Sequence, residues 1–186
     1  GTHSTFQDNG FVNKQHLGIT TGGAVDYELY TLSNNLVNNP LSYPAIEFCL
    51  QGPSLKLMNG TARIVISGNV LFNIITSKKT FEGIAFQSYL LNKGDIIDII
   101  STIKSNYGYL SIEGGFKILK EFGCSSTLTT AKIGPNKGEK IKDNQNLFIN
   151  KKGSNINSNI NFNIENLTKN IRVIPGPQMN YFFPKM

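Results

Sequence analysis

The sequence is poor in the side chains that most often build metal sites and nucleophilic centres. It contains no tryptophan, two cysteines and two histidines. His3 and His16 both lie near the N-terminus, and Cys49 and Cys124 form no C-x-x-C motif. A zinc site takes three or four protein ligands, mostly Cys and His, so we expect no metal. No disulfide is required, which favours a reducing compartment, and we predict a cytoplasmic protein.

Long apolar runs are missing as well. No stretch approaches the roughly 20 apolar residues that span a bilayer. The first residues do not form a basic segment followed by an apolar one, as a secretory signal does. The sequence therefore predicts no association with a membrane.

Arginine is scarce. The formal net charge of +6 comes from scattered lysines, since only Arg63 and Arg172 are arginines. Nucleic-acid-binding domains cluster Lys and Arg on one face and interleave aromatic residues. The sequence has no such cluster, so we do not expect a nucleic-acid partner.

Most of the sequence after residue 40 consists of short apolar segments separated by turn residues. Asn59-Gly60 and Gly68-Asn69 each separate two such segments, and Asn-Gly in this position is a strong hairpin signal. Closely spaced strands with little helix indicate a mainly β fold, either a barrel or a sandwich. The predicted strands are 45–50, 55–58, 62–67, 71–76, 84–91, 96–103, 109–112 and 147–149.

One segment near the N-terminus predicts the main helix. Asp26 is a suitable N-cap, and Leu29 and Leu36 follow at helical spacing. Pro40 cannot continue a helix and restricts the residue before it. We therefore predict a helix over residues 26–38.

The C-terminal part differs in composition from the rest. Residues 150–170 are rich in Asn alternating with Ile or Phe, which suits either a biased linker or an edge strand. We favour a linker because Asn is disfavoured in strands. Residues 1–149 are the predicted β domain, and residues 171–186 begin with one further strand.

Glycines are concentrated in two neighbouring segments near the N-terminus. Residues 5–10 read T-F-Q-D-N-G, and residues 17–26 read L-G-I-T-T-G-G-A-V-D. Glycine permits positive φ and close backbone approach, so such segments can turn N–H groups toward a ligand. The alternative is a pair of tight turns before a capped helix, since Gly and Asp frequently mark turns.

Further motifs follow in a fixed order along the chain. They are I-E-F at 46–48, G-P-S-L at 52–55, Y-L-S-I-E-G-G-F at 109–116, G-C-S-S-T at 123–127 and R-V-I-P-G-P-Q at 172–178. Together with the two glycine segments, these motifs resemble the carboxyltransferase-like family in their order. That family includes the C subunit of bacterial 5-oxoprolinase, subunit 2 of allophanate hydrolase and the matching part of urea carboxylase.

The resemblance implies both a fold and an activity. The fold is a cyclophilin-like β-barrel, and the motif at 172–178 would open a second lobe that is otherwise absent here. The activity is that of a subunit of an ATP-dependent 5-oxoprolinase, which converts 5-oxoproline to glutamate with companion subunits. ATP would be used through the complex, and the isolated chain would be an inactive part of the enzyme.

Two other hypotheses remain open. One is a carboxyltransferase subunit of the urea amidolyase type, with biotin carried on another chain because no A-M-K-M segment is present. The other is a non-catalytic binding protein, since some relatives resemble antagonists of a kinase inhibitor. An exposed aromatic patch at Tyr181-Phe182-Phe183 would favour binding, and a pocket of convergent donors near Asp8 would favour the enzyme.

The candidate site residues lie in these motifs. Asp8 is the best candidate for positioning a substrate or a partner side chain, and with Gln7 it forms the predicted catalytic pair. Backbone donors and hydroxyls around a small carboxylic acid or amide would complete the site. The predicted substrate-binding residues are Thr20, Gly22, Gly23, Gly114, Gly115, Ser126 and Thr127.

Two other groups of residues carry less weight. The segment 134–140, G-P-N-K-G-E-K, lacks the G-K-[ST] ending of a phosphate loop and is predicted as a turn. A nucleophilic Cys124 or Ser126 would need a base in reach, and neither histidine can be assigned to that role.

The sequence also departs from the family pattern at three positions where the family often carries arginine. Here they read Phe11, Ser125 and the segment G-E-K-I at 138–141. Because neither Phe nor Ser replaces the bidentate recognition of an anion by arginine, these changes weaken the case for anion binding there.

Overall fold

The computed structural model describes residues 3–150 and the single residues Ile174, Gly176, Pro177 and Tyr181. In this part of the chain nine strands alternate with little helix. The strands are β1 (His3–Gln7), β2 (Ala45–Cys49), β3 (Ser54–Lys56), β4 (Thr61–Ser67), β5 (Val70–Ile75), β6 (Thr80–Glu82), β7 (Ser88–Asn92), β8 (Ile96–Thr102) and β9 (Tyr107–Ile112). The helical segments are the main helix α1 (Tyr27–Leu36), a 3₁₀ turn at Gln15–Leu17 and a four-residue helical turn at Pro135–Gly138.

The strands form two antiparallel sheets. The five-stranded sheet has the order β1-β2-β9-β4-β7, and the four-stranded sheet has the order β3-β8-β5-β6. A common apolar core lies between them and combines Ile64 and Leu110 of the first sheet with Phe72 and Ile99 of the second. The mainly β prediction is confirmed, and this arrangement is consistent with the implied cyclophilin-like barrel.

The main helix covers the other face of the five-stranded sheet. Because side chains alternate along a strand, Ile64 and Ile66 of β4 face the core between the sheets while Val65 faces α1. The helix begins after Asp26, whose Oδ1 accepts the Leu29 N–H at 3.0 Å, as an N-cap does. The predicted helix at 26–38 is thus confirmed, with ends one or two residues further in. No helix in the described part is long and apolar enough to cross a bilayer.

The prediction that each of these two turn signals forms a β-hairpin is wrong. Asn59-Gly60 joins β3 to β4, and Gly68-Asn69 joins β4 to β5, yet in each case the two strands belong to different sheets. Gly60 and Gly68 do adopt the positive φ of a tight turn. The turn residues therefore mark where the chain reverses, whereas the burial of each strand's apolar face decides which strand it pairs with.

Two strand predictions differ from the structure, and two strands were not predicted. The predicted strand 84–91 begins only at Ser88, because Phe86 turns into the helix-side core with a φ of +62°. The predicted strand 147–149 is reduced to one bridge between Ile149 and Phe116. The short strands β1 and β6 were not predicted, because each is largely polar.

The proposed linker at 150–170 and the proposed start of a second lobe at 171–186 lie almost entirely outside the described residues. The domain boundaries therefore stay predictions.

Candidate functional site

Buried polar side chains line the helix-facing side of the five-stranded sheet. The strand register places Thr5 beside Glu47, Glu47 beside Tyr109, and Tyr109 beside Ser67, so one polar row crosses four strands. All four residues are buried. Buried polar groups of this kind must find hydrogen-bond partners, and here many of the partners are supplied by α1 and the glycine-rich loop before it.

Glu47 and Tyr109 anchor the end of the glycine-rich loop. Glu47 Oε2 accepts the Val25 N–H at 2.9 Å and the Tyr109 hydroxyl at 2.7 Å. The same hydroxyl accepts the Asp26 N–H at 2.7 Å. Burial raises the pKa of Glu47, and the hydrogen bond from Tyr109 only partly offsets this. Burial and the nearby Glu47 carboxylate raise the pKa of Tyr109, so this phenol stays protonated.

Asp8, the predicted catalytic carboxylate, lies at the centre of a buried cluster. Its Oδ1 accepts the Ser126 hydroxyl at 2.6 Å, the Cys124 thiol at 2.9 Å and the Gly10 N–H at 2.9 Å. Its Oδ2 accepts the Ser125 N–H at 2.7 Å. The Asp8 N–H in turn donates to Ser126 Oγ at 2.8 Å. We call residues 8–10 and 124–126 the Asp8 cluster.

The Asp8 cluster uses its hydrogen bonds internally. Three donors bind Asp8 Oδ1 and one binds Oδ2, so both carboxylate oxygens are engaged. In this arrangement Asp8 fastens the end of β1 to residues 124–126. Its assignment as a catalytic residue stays a prediction.

Neither candidate nucleophile in the cluster is activated. Burial, followed by the hydrogen bond to Asp8, raises the pKa of Cys124 to about 11, so its reactive thiolate is rare at neutral pH. Ser126 is fully buried, and its hydroxyl donates to a carboxylate instead of to a histidine. His3 and His16 are both exposed.

The glycine-rich loop packs backbone against backbone on the Asp8 cluster. The Ala24 N–H donates to the Asp8 carbonyl at 3.0 Å. A Cβ on Gly10 would lie 2.3 Å from the Thr21 carbonyl oxygen, and one on Gly23 would lie 2.8 Å from the Gly10 nitrogen. These two glycines are thus explained by close approach, as in the tight-turn interpretation. Thr20 and Gly22 of the same loop are at least partly exposed, so a ligand can reach them.

Gln7 and Thr127 combine burial with unused hydrogen-bonding capacity. Gln7 Nε2 donates to Thr5 Oγ1 and to the Thr127 carbonyl, both at 3.0 Å. Gln7 Oε1 and Thr127 Oγ1 are buried and have no hydrogen-bond partner among the described residues. Both side chains are buried, and each retains a group that can take part in a further hydrogen bond.

The second glycine pair lies at the same end of the sheet. The register brings the C-terminal ends of β1 and β9 together with only β2 between them, and the rings of Phe6 and Phe116 meet at 5.2 Å. Gly114 N–H donates to Asn39 Oδ1 at 2.9 Å, and a Cβ on Gly115 would lie 2.6 Å from the Tyr43 ring. The Asp8 cluster and the Gly114–Gly115 pair therefore share one end of the sheet but use different hydrogen-bond partners.

Two buried polar groups near this end were missed from the sequence. Arg63 of β4 lies 3.9 Å from Glu113, and both side chains are almost fully buried. Asn39 Nδ2 donates to the Ile112 carbonyl at 2.8 Å, which ties the segment after α1 to the end of β9. For Arg63, the only signal in the sequence was a single arginine within an apolar strand. The contact of Asn39 depends on long-range packing.

The described residues contain no group of three or more His, Cys, Asp or Glu side chains that could hold a metal ion. The donors that converge at this end are instead hydroxyls, amides and backbone N–H groups.

Comparisons with known proteins agree with the motif order. Residues 17–186 match the family model described as carboxyltransferase domain, subdomain A and B. The urea amidolyase of Lachancea kluyveri is 30% identical over 151 residues, which are 81% of this chain and 8% of that protein. The 5-oxoprolinase C subunit of Haemophilus influenzae is 29% identical over 133 residues, which are 72% of this chain and 42% of that protein.

Solved structures show the same fold. The crystal structure of TTHA0988 superposes with a TM-score of 0.80 at 22% identity and covers 96% of this chain and 65% of that chain. The urea carboxylase of Kluyveromyces lactis superposes with a TM-score of 0.74 at 26% identity and covers 86% of this chain and 14% of that chain. The chain thus spans less than half of each of the two curated relatives named above.

Proposed function

The chain belongs to the carboxyltransferase domain family, subdomains A and B, and from this we propose that it is a subunit of an ATP-dependent 5-oxoprolinase. In the proposed complex it acts with companion subunits in the cytoplasm to convert 5-oxoproline to glutamate. ATP is bound and used through the complex. The chain contributes a rigid, preorganised set of hydrogen-bond donors and acceptors.

The observation that supports a subunit role most strongly is the state of the predicted catalytic residues. Both carboxylate oxygens of Asp8 accept internal hydrogen bonds, and the thiol of Cys124 has a raised pKa. General acid–base and nucleophilic catalysis both need a reactive group that can reach the substrate. The cluster offers a positioned scaffold, so the reacting groups are proposed to come from a companion subunit.

We further propose that Gln7 Oε1 and Thr127 Oγ1 contact the substrate or a companion side chain. They are the buried members of the predicted site whose side chains have an atom without a hydrogen-bond partner in the described part of the chain. The amide and carboxylate of 5-oxoproline offer both a donor and acceptors.

A second candidate is a carboxyltransferase subunit of the urea amidolyase type. The 30% identity to a urea amidolyase over 81% of this chain favours it. Under this hypothesis biotin is carried on another chain, and the substrate is urea or a similar amide. The third hypothesis, a binding protein, has weaker support. Tyr181 is exposed, but its neighbours Phe182 and Phe183 lie outside the described residues.

A substrate panel separates the first two candidates. The chain is purified with its companion subunits, and ATP hydrolysis is measured with 5-oxoproline, with urea and without substrate. The proposal expects stimulation by 5-oxoproline alone. Stimulation by urea, dependent on a biotin-bearing chain, would instead establish the carboxyltransferase candidate.

Paired variants test the proposed contact. Thr127→Val keeps the side-chain shape but removes the hydroxyl, and we expect at least a tenfold fall in kcat/KM. Thr61→Val changes an exposed threonine of β4 and serves as the matched control. Equal activity of the two variants would remove Thr127 from the site.

A further inference from the structure

A groove lies beside β1. It is on the face of the strand to which Phe6 points, whereas the polar row lies on the opposite face. Phe6 and residues of the segments 117–121, 134–137 and 145–148 line it, and its volume is about 530 Å³. Sites for small molecules commonly have volumes of roughly 300–1,000 Å³. None of the predicted site residues lines this groove.

The lining of the groove is positively charged. Lys117, Lys120 and Lys137 line it, and among the described lining residues only Glu121 carries a carboxylate. That carboxylate accepts the Gly134 N–H at 2.7 Å through Oε2. Because like charges gathered around a concave surface reinforce one another, the groove attracts anions.

The wall of the groove contains a left-handed turn. Asn136 and Lys137 have φ values of 56° and 59°, and Gly138 follows with a φ of 70°. Two consecutive non-glycine residues in this conformation are strained, and such strain is concentrated at ligand clamps and active sites. Gln145 Nε2 holds the turn through a 2.6 Å bond to Asn136 Oδ1. Asn136 Nδ2 is buried without a hydrogen-bond partner among the described residues.

The groove also has an apolar side. Leu119 and Phe148 line it and are 93% and 68% exposed. Because both side chains line the same groove, one occupant could cover them together and remove their apolar surface from water. An occupant that covered them would gain apolar contact area as well as charge complementarity.

We propose that this groove binds a small organic anion whose phosphate or carboxylate head is attached to a flat apolar body. The lysines receive the head, and Leu119 and Phe148 receive the body. The segment around Gly134 does not act as a phosphate loop, since no full helix follows it. The head is therefore held by side chains. This proposal does not rest on the reaction proposed above, because its test measures binding.

Calorimetric titration of the full chain tests the proposal with four probes. Phenyl phosphate and benzoate carry both a head and a body, whereas inorganic phosphate lacks the body and phenol lacks the charge. We expect saturable binding of at least one of the first two, at least tenfold tighter than either fragment and weaker at high salt. The tighter of the two identifies the head group.

Variants locate the binding. Lys120→Gln and Lys137→Gln should each weaken binding about fivefold, as expected for one exposed charge pair at about 4 Å. Lys93→Gln, in an exposed turn between β7 and β8, is the matched control and should change nothing.

Three results would overturn the proposal. They are no saturable binding of any probe at millimolar concentration, equal effects of the groove variants and Lys93→Gln, or binding of phenol as tight as that of phenyl phosphate. Circular dichroism of each variant shows that the fold is retained.

Discussion

Replacing Asp8 with alanine should destabilise the fold by about 3–5 kcal/mol. The change leaves four donors without their acceptor, namely the Ser126 hydroxyl, the Cys124 thiol and the N–H groups of Gly10 and Ser125. Each buried donor left unpaired costs about 1–3 kcal/mol, and water entering the vacated space recovers part of the total. The expected loss is a large share of the roughly 5–15 kcal/mol that stabilises a domain.

A second variant tests whether both carboxylate oxygens are needed. Asp8→Asn keeps an oxygen for the three donors to Oδ1 but presents an N–H group to the Ser125 N–H, so we expect a loss of about 1–3 kcal/mol. Asp143→Ala, at an exposed turn, is the matched control and should change stability by less than about 0.5 kcal/mol. Urea unfolding followed by circular dichroism gives all three values. If Asp8→Ala stayed within about 1 kcal/mol of wild type, the cluster would not hold these segments together.

Three further predictions concern stability and reactivity. Burial raises the pKa of Glu47, so the wild-type protein should lose stability as the pH rises through the folded-state pKa of that carboxyl. The Glu47→Gln variant should not show this loss. Equal pH profiles of the two proteins in urea unfolding would contradict the prediction. The partly exposed Cys49 should react with a thiol reagent at about pH 8, whereas Cys124 should react only after unfolding; comparable rates would show that Cys124 is accessible. Gly10→Ala should lower the melting temperature far more than Gly60→Ala. Both glycines have positive φ, but only at Gly10 would an added Cβ lie 2.3 Å from a backbone oxygen. Equal shifts of the melting temperature would show that the loop can relax.

Local signals in the sequence were enough for the helix and for most strands. The Asp26 cap and the helical spacing of Leu29 and Leu36 predicted α1 to within two residues at each end. Turn residues such as Gly60 and Gly68 also marked correctly where the chain reverses. The partners of the strands were not predictable, because the connections at Gly60 and Gly68 cross between sheets and pairing depends on the burial of whole faces.

The motifs predicted which segments lie near one another, but not the contacts between their side chains. The order of the motifs placed Asp8 and Ser126 in one site, and the structure brings their side chains to 2.6 Å. The contact between Glu47 and Tyr109 depends on the register of β2 against β9, which no local pattern encodes. The roles assigned to the site residues stay predictions.

The central claim is that this chain works only as part of an enzyme complex. Its most direct test measures the ATP hydrolysis that accompanies opening of the 5-oxoproline ring, with the purified chain alone, with the companion subunits alone and with all of them mixed. We predict turnover only in the mixture. Turnover by the isolated chain, or a mixture no more active than the companion subunits alone, would contradict the claim.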